Sequence, residues 1–406
     1  MEALNIQIGQ KSPWKLRIEE SIASVPAPQE HVACVVDATD AALSQPFDFP
    51  SLDQALVPGD QLALAVDPRV PKLMDVLAAT VGWFNQRGTP ASNMQIVLAA
   101  EGAWSAEQLA SSIEQQTGLQ VGVECHDVDD LEKLAYVAAN EASDPIYLNR
   151  CLVDADVVVP ITCTRPRSSL DYFGAFGLFP LFSNRATRGE FYSLPRLEEP
   201  SSRAKLQSWA DQAAWWLGVL VGIQVIPAAD DRVARVLAGQ LTALEEAAQQ
   251  ALVEFWNRPG GVNSDLVVAL LDSAASSQSW LSVARALFSA LRAVTPSGSI
   301  VIATQLNEAI GKGLGRLRDP HQAPEAIAKK LASDHHDDAL AAAVILNAIA
   351  SNHVYLISDL RTETVESLGL GAITDEDQLT RLVNQHASCT VIESAQHRGA
   401  NFGASP

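Results

Sequence analysis

The first half of the chain alternates short apolar runs with stretches of helical spacing, the pattern of an α/β sheet with crossover helices. Gln61–Val66 reads as a strand, Lys72–Arg87 as a helix stopped by Gly88, and Met94–Ala99 as the next strand. Ser105 and Gln108 form a capping box for a helix that ends at Gly118. Asp144–Leu148 is a short extended segment. Asp156–Ile161 is apolar almost throughout, as a central strand buried on both faces must be. From Thr162 to Pro200, Gly, Pro, Phe, Arg and Ser displace the helical period, which predicts a long irregular loop of functional type. Regularity resumes with a helix over Ala204–Leu217, two strands around the turn Ala229–Asp231, and a helix over Gln240–Trp256.

Asn257–Gly261 (NRPGG) is the clearest linker, and the alternation restarts beyond it. Strand Leu266–Leu271, helix Gln278–Ala293, turn Pro296–Gly298 and strand Ile300–Thr304 come first. Helices Pro324–Ser333 and Asp337–Ala350, strand Val354–Ile357 and helix Asp375–Gln385 complete the pattern. The predicted class is α/β in two separately packed domains: a larger one over 1–258, a smaller one over 262–390, and a tail, 391–406, able to return to the first.

Composition narrows the partners. Hydrophobic residues make up 48% of the 406 and charged residues 19%, enough to fill more than one core. The formal charge of −20, with no run of Lys and Arg, excludes nucleic acid and anionic lipid as expected partners. The most apolar stretch, Ala213–Pro227, is broken by Gly218, Gly222 and Gln224. It falls short of the roughly 20 apolar residues a membrane helix needs, and reads as a helix end followed by a strand. The first residues, MEALNIQIG, lack the basic start and apolar core of a signal peptide. Cys34, Cys125, Cys151, Cys163 and Cys389 form no CxxC pair, so reduced thiols in a cytoplasmic protein are expected.

Few local clusters carry chemistry. His335-His336-Asp337-Asp338 reads as a capped helix start, with Asp334 or a neighbour as the cap, because adjacent helical histidines diverge. No metal site is expected there or at Cys125-His126. Gly311-Lys312-Gly313-Leu314-Gly315 lacks the spacing of a phosphate loop and reads as a close-approach loop. Trp209, Trp215, Trp216 and Trp256 fall at spacings that suit core packing. The segment Thr164–Arg188 directly follows the central strand and holds Arg165, Arg167, Arg185, Arg188, Ser168 and Ser169. It reads either as an anion site or as a surface loop packed by its own aromatics.

Several segments resemble the lactate racemases that use the nickel-pincer nucleotide. They are Ala42–Pro71, Asp144–Val159, Trp209–Gly239, Ser264–Ser273, the helix through Arg285, and Pro296–Gln305. Order and spacing carry the resemblance more than any one motif. It implies a cleft between two domains in which two histidines exchange a proton role while the cofactor takes and returns a hydride. A third histidine ligates nickel, a lysine tethers the cofactor and an arginine holds the substrate carboxylate.

Matched without gaps, the machinery is mostly missing. Trp104 stands at the first catalytic histidine, Arg167 at the second, and Gly177 at the lysine. Asp67 and Pro71 are kept, Val70 stands at the carboxylate-binding arginine with Arg69 beside it, and Arg285 replaces a lysine of the second domain. No histidine lies between His126 and His321, and no lysine between Lys133 and Lys205. The expectation is therefore a divergent member that binds a small carboxylate or phosphate through Asp67, Arg69, Arg165, Arg167, Ser168, Ser169 and Arg285, with no cofactor. Two alternatives stand beside it: an active 2-hydroxyacid racemase or epimerase that uses the nickel-pincer nucleotide with non-standard acid and base groups, and a scaffold that keeps only the fold.

Overall fold

The structure is a computed structural model that describes residues 2–10, 12–18, 22–99, 104–140, 143–174, 177, 179–256, 263–274, 277–319 and 321–399. The expected linker at 257–261 lies outside the described residues.

The chain opens with an antiparallel hairpin, β1 (Glu2–Ile6) and β2 (Trp14–Ile18), and a short strand, β3 (Ala23–Val25). The first unit follows with β4 (Leu62–Val66), β5 (Met94–Leu98) and β6 (Gly122–Cys125). A separate antiparallel ribbon comprises β7 (Leu134–Ala139) and β8 (Pro145–Asn149). The unit closes with β9 (Val157–Cys163), β10 (Val221–Pro227) and β11 (Val233–Gln240). Its sheet runs in the order β11-β10-β9-β4-β5-β6 and is parallel except for β11, which runs antiparallel to β10. β4 and β10 are buried at every position and β9 nearly so, which is why their sequences run apolar without alternation.

The second unit contains β12 (Ser264–Leu270), β13 (Val294–Ala303), β14 (His353–Ile357), β15 (Gly371–Ala372) and β16 (Cys389–Ile392). Its parallel sheet runs β15-β14-β13-β12-β16-β3. The outermost strand is thus the early β3, paired through Ala23 and Val25 with Thr390 and Ile392. Ile6, Ile8 and Leu16 of the hairpin pack on Leu266, Val268 and Val391. The hairpin thus packs on the second sheet and β3 joins it, so a first domain over 1–258 does not describe how these elements pack. Apolar residues of the first turns of chain are better buried against β12 and β16 than anywhere on the already covered first sheet.

The units share one core. Leu152, Phe179, Phe191 and Leu206 of the first belong to the same buried cluster as Val267, Leu287, Leu340 and Ile345 of the second. Much of that bridge comes from the segment expected to be irregular. Helices Arg185–Phe191 and Leu194–Glu198 occupy its second half, and helix Pro200–Trp216 starts at its last residue. Its prolines mark helix starts as well as breaks: Pro195 and Pro200 sit in first turns, where a missing N–H costs nothing. Asn184 accepts from the Thr187 N–H and Glu199 from those of Ser201 and Ser202, capping two of these helices.

The capping box at Ser105 and Gln108 is present, and Gly118 ends that helix with φ 71°. Of the four tryptophans expected in the core, Trp256 is buried and Trp209 partly so, but Trp215 and Trp216 are 71% and 50% exposed where their helix runs out. Asp334 is no cap for the following helix. It ends the preceding one and pairs with Arg316. Asp338 begins the next and accepts from the N–H groups of Gly313 (2.8 Å) and Leu314 (2.9 Å). A Cβ at Gly311 or Gly313 would strike that carboxylate, so the glycine-rich loop does make a close approach, to the chain's own aspartate.

Candidate functional site

In the first sheet the chain leaves β4 for β5 on one side and later places β9 on the other. The carboxyl ends of β4 and β9 therefore flank the crevice where a parallel sheet reverses its winding. Asp67 follows β4 directly and is 1% exposed. It accepts from the Arg69 backbone N–H (3.0 Å), from Arg69 Nε (2.7 Å) and from Arg165 Nη2 (2.5 Å), Arg165 standing two residues past β9. Burial alone would push the Asp67 carboxyl up. The two guanidinium charges and the Arg69 hydrogen bonds outweigh it and hold the group well below the usual carboxylate range. Arg165 is shifted up in turn: burial and the Arg69 charge oppose it, and Asp67 and Asp171 prevail.

Asp171 completes the cluster. Its carboxylate, 1% exposed, accepts from Arg69 Nη1 (2.9 Å) and lies 3.9 Å from Arg165 Nε. From the second unit, Arg285 on helix Trp280–Ala290 grips it with Nε on Oδ1 (3.0 Å) and Nη2 on Oδ2. Three guanidiniums thus meet two carboxylates, which leaves one positive charge in excess at the junction of the units.

The rest of the arginine-rich segment turns elsewhere. Arg167 is 61% exposed and bonds through Nε to Glu245 (3.0 Å), which also accepts from the Tyr172 hydroxyl. Ser169 is buried and its carbonyl accepts from Arg203, while Ser168 lies against Gly399 of the returning tail. Of the residues expected to bind a ligand, Asp67, Arg69, Arg165 and Arg285 come together, and Arg167, Ser168 and Ser169 do not join them. The reason is local: the chain turns after Arg165, so Arg167 meets helix Leu241–Trp256, Ser168 meets the tail, and the Ser169 carbonyl meets helix Pro200–Trp216.

A cavity of about 930 Å³ opens beside the cluster, between loops that follow β4, β6, β12 and β13. Arg69 and Arg285 reach its wall, as do Arg185, Arg188 and Lys133, alongside acids that include Asp127, Asp129, Asp130 and Asp337. Arg185 spans the units: Nη2 bonds Asp129 (2.6 Å) and Nη1 reaches Asp337 (3.3 Å), which Arg188 also approaches at 3.5 Å. Glu308 also lines the cavity, its carboxyl shifted up by burial although it accepts from the Trp280 N–H (2.8 Å).

Sequence reasoning missed Asp171. The signal for Asp171 was a single acid inside an arginine-rich run. His126 lines the cavity, but it is buried with both nitrogens engaged. Nε2 donates to the Ser183 carbonyl (2.8 Å) and Nδ1 accepts from Asn149 (3.3 Å), and burial shifts the ring's pKa down, so the imidazole is neutral. A second crevice lies at the carboxyl ends of β12 and β16, where the other sheet reverses. There the buried Asp272 pairs with His397 Nε2 (3.3 Å).

The nickel-pincer nucleotide implied by the resemblance needs a lysine, a nickel-binding histidine and two acid–base histidines. Trp104, at the first histidine position, is 37% exposed and does not line the cavity. Gly177 has φ 59° and faces Thr162. Among the described residues no three His, Cys, Asp or Glu side chains are grouped to hold a metal. With the ring nitrogens of His126 already engaged, Lys133 is the sole match on the wall, and the residues present do not fit the group.

Comparison with known proteins agrees with this architecture. Residues 10–174 match the lactate racemase N-terminal domain. The lactate racemase apoprotein from Thermoanaerobacterium thermosaccharolyticum superposes with a TM-score of 0.78 at 14% identity, covering 98% of this chain and 99% of that one. A protein from Thermotoga maritima superposes with a TM-score of 0.66 at 12% identity, covering 92% and 99%. No curated protein matches the chain. No helix among the described residues is long and apolar enough to cross a membrane.

Proposed function

Starting from a lactate racemase N-terminal domain and a lactate racemase fold, we propose that this protein binds a small anionic molecule in the cleft between its units and does not racemise 2-hydroxyacids through a nickel-pincer nucleotide. One observation carries the reading: Arg69 and Arg285, from different units, meet at the wall of the cavity in a cluster with one positive charge in excess. Arginine's planar donor fork suits a carboxylate or phosphate, and a charge excess in a protein of net −20 is a local exception. The lack of fitting groups for the cofactor supports the second half of the proposal. The scaffold alternative calls for a filled cleft, and the cavity counts against it.

Thermal unfolding with and without small carboxylates and phosphate tests the proposal. A ligand at a hundredfold excess over its Kd should stabilise the protein by about 2.7 kcal/mol. Arg285→Ala and Arg69→Gln should abolish that gain. No stabilisation of the wild type by any such anion, or a gain that survives in both variants, refutes the site. Stoichiometric nickel with a covalent nucleotide on protein from a host that makes the cofactor, or racemisation of lactate, refutes the rest.

A further inference from the structure

We infer that Asp171 is a built-in occupant of a carboxylate site: Arg69, Arg165 and Arg285 form the cradle, and a small monocarboxylate takes the place of the Asp171 side chain when that side chain turns away. The inference rests on reading the cleft as an anion site, and it names both the ligand class and the competitor.

The geometry is that of ligand recognition. Arg285 meets the carboxylate edge-on with two donors, one to each oxygen, and Arg69 adds a third at 2.9 Å. These arginines arrive from separate elements, one of them in the other unit, so the cradle is a property of the assembled fold. A cluster evolved only to neutralise its arginines would balance them. Here Asp67 already accepts from two of the three, and the excess positive charge remains with Asp171 in place. Arg69 and Arg285 also line the 930 Å³ cavity, which gives an incoming anion access to two of the three guanidiniums.

A second cation lies along the same stretch of chain. Arg203, on helix Pro200–Trp216, is half-buried and makes no ion pair among the described residues; its Nη2 donates to the carbonyls of Arg167 (3.1 Å) and Ser169. Burial pulls its pKa down, and the charge of Asp171 is the first influence to oppose that. Asp171 thus lies in a triple cradle two residues along the chain from a carbonyl that holds a half-buried guanidinium, one with no carboxylate partner among the described residues. Leu170 and Phe173 on either side are buried and hold the backbone, so exchange needs only the side chain to turn.

Formate is the probe, because Asp171→Ala removes one carboxylate and leaves the Cβ in place. Titration calorimetry should find formate bound to D171A on the order of tenfold or more tightly than to the wild type, since the internal competitor is gone. Arg203→Met should weaken formate binding to the wild type and leave binding to D171A unchanged. Adding Arg285→Ala to D171A should abolish it. If D171A does not fold, Asp171→Asn, which keeps the shape and loses the charge, is titrated in its place. Equal affinities for wild type and variant overturn the inference while leaving the cleft as an anion site. A wild type that binds no anion overturns both, and D171A binding formate beside an indifferent wild type shows Asp171 to be a permanent plug, which also overturns the exchange.

Discussion

The two sheets each place a buried aspartate just beyond a central strand, and they neutralise it differently. Asp67, after β4, is met by Arg69 and Arg165, with Asp171 and Arg285 added around them. Asp272, two residues after β12, has one cationic partner, His397, and otherwise accepts from backbone N–H groups such as that of Ala274 (2.7 Å). A guanidinium is charged at every pH the protein meets, whereas an imidazole is charged only toward the acid end. The cluster in the first crevice thus keeps one guanidinium charge in excess at every such pH, beside a cavity wall that carries acids as well as bases. The other crevice has a single ion-pair contact, from His397, beside backbone donors. The first has the character of a site that attracts anions, the second that of a clasp.

The largest test of this contrast is to unbalance the first crevice. Asp171→Ala leaves three buried guanidiniums against one carboxylate, and should cost about 3–5 kcal/mol in urea unfolding without added anion. Less than about 1 kcal/mol would mean that water reaches the cluster, and the contrast with the second crevice would vanish.

Acid sensitivity comes next. The carboxyls of Asp67 and Asp272 both lie below their ordinary value of 3.8 in the folded protein. For each, burial pushes upward and is overcome, by the arginines in one case and by the His397 hydrogen bond and charge in the other. A carboxyl depressed on folding contributes stability that is complete above its unfolded pKa and is lost as pH falls through the folded one. Stability should therefore decline below about pH 3.8. Asp67→Asn should flatten that decline by up to about 1.4 kcal/mol per pH unit, read from urea midpoints across the acid limb. An unchanged slope would show that Asp67 is not charged in the folded state.

The smallest effect belongs to Arg167. Its side chain is 61% exposed, so Arg167→Ala should cost no more than about 1 kcal/mol and leave the thermal response to anions intact. Loss of that response would place the anion outside the crevice, on the Glu245 side.

Much of the architecture was legible because it rests on local periodicity. β4, β5 and β9, the Ser105 capping box and the Gly118 stop fall within a residue or two of where apolar spacing puts them. The region after Thr162 was legible only in part. Pro195 and Pro200 were read as breaks, although a proline in a helix's first turn is indistinguishable by composition from one in a loop. The pairing of β3 with β16 joins residues more than 360 positions apart, and no local pattern reports such a contact. In the site, Asp67, Arg69, Arg165 and Arg285 could be named because position after a strand and the family resemblance both pointed to them. Asp171 could not, since its importance comes from where Arg285 of the other unit lands.

The early crossing of β3 into the second sheet has a mechanical consequence. The chain begins in the second unit, passes to the first after Val25, and returns between Trp256 and Asn263. Near both passages lies Arg398, whose guanidinium bonds the carbonyls of Pro26 (2.9 Å) and Trp256 (3.3 Å). Arg398 therefore stitches the two passages together at one edge, and the units cannot part there without breaking both hydrogen bonds.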